Sequence, residues 1–382
     1  AGIFGQSSDG LLEGQVNKMI MSLVHRGPDD SGIWINKDNT LALGHRRLTI
    51  IDLSKAGHQP MQSSCGTFVM SFNGEIYNHR ELRRELNSQY TSIRWKGTSD
   101  TETILEGFSH WGINKTVEKM VGMFALAVWD NSKEKLYLTR DRIGEKPLYF
   151  GWSQGKFIFG SELKAIKNSP GFCQEIDRDS LCLFLRHCYV PSPRSIYKDI
   201  YKLQPGYILD LSLKDTLNAP KQGYLLENLN LRQYWSYKDK VEEGLGNLIK
   251  EEKESLKLLE ETLRDSIELQ SIADVPLGCF LSGGIDSSLI VSLMQTNSEV
   301  PIHSYSIGFK ESDYDEAIYA KEIAKHLGTN HHELRVTSRD ALNIIPSLPE
   351  IYDEPFSDSS QIPTYFICQA ARQKVTVALS GD

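Results

Sequence analysis

The strongest constraint on the fold of this chain is a change of pattern near residue 255. Before it, hydrophobic runs are short and pair off across turns. "MFALAVWD" (123–130) and "KLYLTRD" (135–141) flank "NSKE", and "PLYFGW" and "KFIFGS" flank "SQG". Both pairs predict antiparallel hairpins. "TFVMSF" (67–72) predicts a strand ending at Asn73-Gly74, and "YNHRELRRELN" (77–87) a helix with Asn78 as N-cap. Beyond 255, strands and helices alternate. An amphipathic helix "KESLKLLEETLRDSIELQSI" precedes the buried strand "VPLGCFL" and another helix. "IHSYSIGF" then reads as a strand, "DEAIYAKEIAKHLG" as a helix closed by Gly328, and "KVTVALSGD" as a third strand. Such alternation requires crossover connections, hence a parallel sheet with its ligand site at the carboxyl ends of the strands. The polar stretch between the two patterns reads as a linker. The expected organisation is therefore a sheet-rich α+β domain over 1–205, a linker or domain crossing over 206–254 and a parallel-sheet α/β domain over 255–382.

Bulk properties narrow the function classes. At 382 residues, 40% of them hydrophobic and 24% charged, the chain can bury two cores. A net charge of −8 argues against a nucleic-acid partner, which needs a basic face. No apolar run reaches the length of a membrane span and no signal peptide precedes residue 1, so no membrane partner is expected. The six cysteines form no CxxC and no framework spacing, which fits free thiols in a reducing compartment and places the protein in the cytoplasm.

"LSGGIDSS" (281–288) sits where a strand hands over to a helix. Small residues there let backbone N–H groups close on a phosphate, and the helix N-terminus adds a positive dipole. Ser282, Gly283, Gly284, Ser287 and Ser288 suit phosphate contact, and Asp286 is placed to hold Mg²⁺. A Gly-Lys-Ser/Thr ending is absent, so γ-phosphate transfer of the P-loop type is disfavoured. A plain Gly-Gly turn is the bland alternative; the strand before, the helix after and the Ser/Asp enrichment favour the phosphate reading.

These residues carry a family resemblance. SGGIDSS is similar to the pyrophosphate-binding loop of ATP pyrophosphatases, and "SYSIGF" (304–309) and "LSGD" (379–382) match further segments of one branch, the asparagine synthetase family. The resemblance implies ATP as co-substrate, with Leu281, Ile307, Ser380 and Gly381 on the nucleotide and Asp382 in the amide-forming step. That family also carries a class II glutamine amidotransferase domain, and the first half resembles it in order. The matching segments are "GIFG", "HRGPDDSG", "GHRRLTIID", "FNGEIYNH", "GTSDTE", "RDRIGEKPLY" and "SELKAI". The implied fold is an N-terminal-nucleophile αββα domain, antiparallel sheets layered between helices, followed by an ATP-pyrophosphatase α/β domain.

The implied chemistry is attack of a terminal thiolate on the glutamine amide, with its own α-amino group as general base. Asn73 and the Gly74 N–H match the oxyanion hole. Arg47 would hold the α-carboxylate of glutamine, and Asp100 and Glu75 its α-ammonium. Read alone, Asn73-Gly74 is a turn, and Arg47 and Asp100 are solvated charges. His25 and His45 read as structural hydrogen-bonding residues, Cys279 as a small core residue, and His331-His332 lack partners at zinc spacing. Lys164 reads either as a surface lysine or as lining a face between the domains.

Three departures stand out. Ala1 occupies the nucleophile position, where cysteine is expected, as though replaced. The chain stops at Asp382 inside a loop, so the synthetase domain is expected to continue. The acceptor segment "YDEPFSDSSQIPTY" carries Ser357, Asp358, Ser359 and Ser360 where some members have a threonine pair and an arginine. The expected activity is a glutamine- and ATP-dependent amide synthetase acting on an acceptor carboxylate, with aspartate favoured. A sugar uronic acid or biosynthetic intermediate is the alternative acceptor, and a non-catalytic glutamine or nucleotide sensor the alternative class. A homodimer is compatible with the resemblance.

Overall fold

A computed structural model describes residues 1–6, 12–217, 229–309 and 316–381. The chain separates into two units. The first comprises Ala1–Gly246 with Asp353–Phe356, and the second begins at Asn247 and takes up most of the remainder.

The first unit holds two six-stranded sheets. One runs Ile200–Lys202, Tyr149–Ser153, Lys156–Gly160, Gly2–Phe4, Leu41–Arg47, Asp30–Ile35, with antiparallel pairing throughout. The other runs Asn230–Gln233, Tyr207–Ser212, Lys135–Arg140, Gly122–Asp130, Phe68–Ile76, Met61–Gln62, again antiparallel. The strand "GMFALAVWD" shows why the sequence there is almost wholly apolar. Ala125, Ala127 and Trp129 face the first sheet, while Phe124, Leu126 and Val128 face helices. A strand covered on both sides loses the usual polar alternation. Phe4 meets Trp129 edge-on across the sheets at 5.5 Å between ring centroids.

Outside the second sheet lie Leu82, Ile104, Phe108 and Val117, from helices His79–Gln89, Asp100–Trp111 and Ile113–Lys119. Outside the first lie Val16 and Met19 from Leu12–Met21 and Ile166 from Leu163–Lys167. The result is the expected αββα layering. Both predicted hairpins are present.

The structure departs from expectation at three places here. The strand through "TFVMSF" does not stop at Asn73-Gly74 but continues to Ile76. Asn78 stands at the N-cap of its helix without capping it; its side chain donates to Lys119 O and accepts from Val121 N, each at 3.0 Å. The stretch read as a linker supplies strands Tyr207–Ser212 and Asn230–Gln233 and helix Tyr237–Gly246.

The second unit is a four-stranded parallel sheet ordered Asn330–Val336, His303–Phe309, Leu277–Phe280, Val377–Leu379. Helices Glu252–Gln270, Ile285–Thr296 and Ala317–Leu327 cover one face through Ile267, Val291 and Ala320, with Cys279 packed among them as a core residue. Helix Gln361–Ala371 covers the other, where Ala371 packs with Tyr305. Gly328 closes its helix at φ 74°. Strand Asn330–Val336 is an addition to the three read from sequence. His331 bonds Ser304 and Ser306 of the adjacent strand His303–Phe309, and among the described residues no cluster of three or more metal-ligating side chains forms. After Leu277–Phe280 the chain moves to one side of the sheet and returns to the other at Val377–Leu379. The boundary between these neighbours is the switch point where open α/β sheets bind ligands.

Candidate functional site

A cavity of about 390 Å³ opens in the first unit, and its lining contains all six residues singled out there: Ala1, Arg47, Asn73, Gly74, Glu75 and Asp100. They reach it from four segments. Gly2 pairs with Leu43 on one side and Phe159 on the other, so Ala1 sits at the end of a central strand. Its α-amino group donates to Gly44 O at 2.9 Å, and Gly44 N returns a bond to Ala1 O at 2.8 Å. Burial pushes that amine down to about 5. At neutral pH it carries a lone pair.

Arg47 ends the strand Leu41–Arg47 and is only 9% exposed. Its guanidinium is cupped by carbonyls, donating to Asp52 O at 2.5 Å and Ser54 O at 3.2 Å. Gly57 lies directly against it, where any β-carbon would overlap the guanidinium. Asn73, Gly74 and Glu75 follow one another on the strand Phe68–Ile76. At Gly74, φ is 157° and a β-carbon would strike the Met123 carbonyl, so the Asn-Gly pair serves close strand approach rather than a turn.

Asp100 is the first residue of helix Asp100–Trp111, whose N-cap Ser99 accepts from Glu102 N at 3.2 Å. Its carboxylate accepts from Ile76 N at 3.0 Å and Thr101 N at 2.7 Å, yet burial still raises its pKa. Glu75 is pushed up to about 7, first by burial and then by the charge of Asp100, with Lys146 opposing. The Lys146 ammonium, itself lowered by burial, also lines the cavity. Lys146 stands in "RDRIGEKPLY", a segment that resembles the family, and that position is the signal in the sequence that points to it.

His45 is half-buried and held down to about 3 by desolvation, then by the neighbouring amine and Arg47, so it is neutral. Its Nδ1 lies 3.2 Å from Ser71 Oγ. His25 Nε2 bonds the Glu162 carboxylate at 3.0 Å, and Lys164 pairs with the same carboxylate at 2.9 Å. Both histidines make the hydrogen bonds a structural role calls for, and both also line the cavity.

In the second unit, Leu281 follows strand Leu277–Phe280 and donates its N–H to Tyr305 O at 2.8 Å. Gly283 then turns at φ 91°, where a β-carbon would crowd the Ala320 backbone. Gly284 caps helix Ile285–Thr296. Ser282 Oγ accepts from Gly284 N at 3.2 Å and meets Ser287 Oγ at 2.9 Å, while Ser288 Oγ donates to Gly284 O at 2.6 Å. Ser380 and Gly381 follow the strand Val377–Leu379, and a β-carbon at 381 would come 2.7 Å from Ser287 N. Ile307 lies on the neighbouring strand His303–Phe309. The predicted nucleotide residues thus converge on one end of the sheet. A bare backbone at 283, 284 and 381 beside a helix N-terminus fits a phosphate group. Asp286 is exposed in the first turn of that helix. One carboxylate suits a Mg²⁺ ion that takes its remaining ligands from substrate phosphates and water. Asp382 lies outside the described residues.

Geometry therefore defines a class first: an N-terminal-nucleophile-type amidotransferase unit joined in one chain to a parallel α/β unit with a glycine-rich strand-to-helix loop. Residues 1–224 match the glutamine amidotransferase domain and residues 258–382 match asparagine synthase. A Methanocaldococcus jannaschii protein assigned as glutamine-hydrolysing asparagine synthetase 2 is 36% identical over 97% of this chain and 71% of its own length. Asparagine synthetase (glutamine-hydrolysing) 1 of Bacillus subtilis is 33% identical over 96% of this chain and 54% of its own length. Amidase chry2 of Gibberella zeae is 26% identical over 99% of this chain and 56% of its own length. The chain belongs to the glutamine-hydrolysing asparagine synthetase family, and it spans between about half and seven-tenths of the length of these relatives.

Proposed function

We propose that the protein is a glutamine- and ATP-dependent amide synthetase with aspartate as acceptor, and that position 1 is its glutaminase nucleophile site. The observation that supports this most is the convergence of Ala1, Arg47, Asn73, Gly74, Glu75 and Asp100 on one cavity. Arg47 binds the α-carboxylate of glutamine, and ionised Glu75 and Asp100 bind its α-ammonium. The side-chain amide is thereby directed to position 1, with Asn73 and the Gly74 N–H facing the oxygen on which charge develops. A cysteine there would pass its proton to the α-amino group, which burial keeps neutral, and attack the amide carbon; ammonia leaves with that proton. Ala1 leaves the binding groups in place and removes the attacking atom.

In the second unit, Leu281, Ile307, Ser380 and Gly381 bind ATP, and the 282–288 loop holds its phosphates. The acceptor carboxylate attacks the α-phosphorus and the α–β bridge breaks, releasing pyrophosphate; ammonia then displaces AMP from the acyl carbon. Asp286 would hold Mg²⁺ together with the phosphates, and the bound ion would supply charge neutralisation for pyrophosphate departure. A second acceptor reading, amidation of a different carboxylate, is favoured by Ser357, Asp358, Ser359 and Ser360, which offer no cation to an α-carboxylate.

The test supplies ammonia directly and measures pyrophosphate release across a panel of carboxylates. Aspartate-dependent release of pyrophosphate and AMP is expected. ADP as product overturns the assignment of the second unit, and turnover with a uronic acid but not aspartate selects the other acceptor. Ala1→Cys should gain glutamine hydrolysis; a cysteine variant that binds glutamine and does not hydrolyse it overturns the role of position 1.

A further inference from the structure

We infer that Ser161 is a positioning residue for glutamine hydrolysis, orienting the amide of Asn73 toward position 1; this rests on the glutaminase reading above. Asn73 and Ser161 are 88 residues apart, one on a strand of the second sheet and the other just past a strand of the first. Asn73 lies on the strand Phe68–Ile76, and Ser161 directly follows Lys156–Gly160. Asn73 Nδ2 donates to Ser161 Oγ at 3.3 Å, and both residues line the cavity beside Ala1. An asparagine amide has two N–H groups on one rigid plane. With one committed to Ser161, the plane is fixed and the second N–H is held in a set direction instead of sweeping about the terminal torsion, which is otherwise broad.

Ser161 is itself well anchored. A β-carbon added to Gly160 would lie 3.7 Å from Ala1 Cβ, so the end of this strand runs alongside position 1. The next residue, Glu162, accepts from Arg26 at 2.7 Å and pairs with Lys164 at 2.9 Å, which clamps the chain just beyond the serine. A hydroxyl held between a strand end and an ion-paired carboxylate is a rigid reference for a neighbouring side chain. Its contribution appears when negative charge develops on the substrate oxygen, because a preformed donor needs no reorganisation at that moment. Binding of ground-state glutamine depends on Arg47, Glu75 and Asp100 and is unaffected by Ser161.

The test uses the full chain carrying Ala1→Cys, with Ser161→Ala, Ser161→Cys and Ser161→Thr added separately. Ser161→Ala should lower kcat for glutamine hydrolysis about tenfold, as loss of one hydrogen bond worth about 1.4 kcal/mol implies, with KM changed less than twofold. Ser161→Thr, which keeps the hydroxyl, should restore kcat, and Ser161→Cys, a weaker acceptor of the same shape, should fall between. In the Ala1 background, calorimetry should give equal glutamine binding with and without Ser161→Ala, which also reports that the variant folds. If Ala1→Cys hydrolyses glutamine and the alanine variant keeps full kcat, Ser161 has no positioning role. A rise in KM with kcat unchanged, or loss of calorimetric binding, makes the serine a binding or structural residue and overturns the proposal equally. If Ala1→Cys hydrolyses no glutamine at all, the glutaminase reading falls and takes the proposal with it.

Discussion

Glu75→Gln should stabilise the unliganded protein while weakening its hold on glutamine. The Glu75 carboxyl is raised from 4.5 to about 7 by burial and by the charge of Asp100. A folded-state pKa above the unfolded value means that stability is fully present below the unfolded pKa and is lost as pH rises through the folded one. At pH 8, where the buried group must ionise, this corresponds to about 3 kcal/mol of destabilisation; at pH 5 it shrinks to about 1 kcal/mol. Gln has the same shape and never ionises. The variant should therefore melt roughly 6–10 °C higher than the parent at pH 8 and much closer to it at pH 5. Glutamine affinity of the parent should fall about tenfold between pH 8 and pH 6, because the free site must surrender a proton before it can receive an ammonium group. In the variant the affinity should be low and flat with pH. Differential scanning calorimetry and isothermal titration at the two pH values measure both effects. A variant no more stable than the parent at pH 8, or equally stabilised at both pH values, refutes the reasoning.

Further substitutions test other parts of the two sites. Gly57→Ala should weaken glutamine binding by about 2 kcal/mol, roughly thirtyfold, by displacing the Arg47 guanidinium, with calorimetry as the readout. Asp286→Asn should slow ammonia-supported pyrophosphate release on the order of a hundredfold, and raised Mg²⁺ should recover part of the loss. Ser99→Ala should lower stability by about 1 kcal/mol in denaturant unfolding, because the Glu102 N–H at the start of the Asp100 helix loses its acceptor.

What was legible in the sequence was periodicity and local chemistry. The two hairpins, the strand–helix alternation after 255 and the loop glycines each follow from residues close together in the chain. What was not legible depended on partners far away. Asn73-Gly74 has the composition of a turn, and only the approach of the Met123 carbonyl shows that the strand must pass straight through it. Strand Asn230–Gln233 sits at a sheet edge and is half-exposed, so its polar sequence carries no alternation to distinguish it from a linker. Asn330–Val336 is also an edge strand; its His331 is accommodated by the Ser304 and Ser306 hydroxyls of the adjacent strand, and its His332 meets His303 there at 3.1 Å.

The same division runs through the glutamine cavity. Each of its residues stands in a recognisable segment, so identities could be assigned from the chain alone. The energetics could not. The terminal amine is pushed down because Ala1 is drawn into a buried strand end, and Glu75 is pushed up to about 7 first by its own burial and then by the charge of Asp100, 25 residues later. Two buried acids placed together oppose each other's ionisation, and on the proposed reading the α-ammonium of glutamine relieves that opposition. Lys146 partly relieves that opposition, and its own ammonium is destabilised by the same burial, so it cannot fully substitute for the substrate. On the proposed glutamine-binding reading, selection of an α-ammonium is a property of the packed cavity, with Glu75, Asp100 and Lys146 acting as one electrostatic unit.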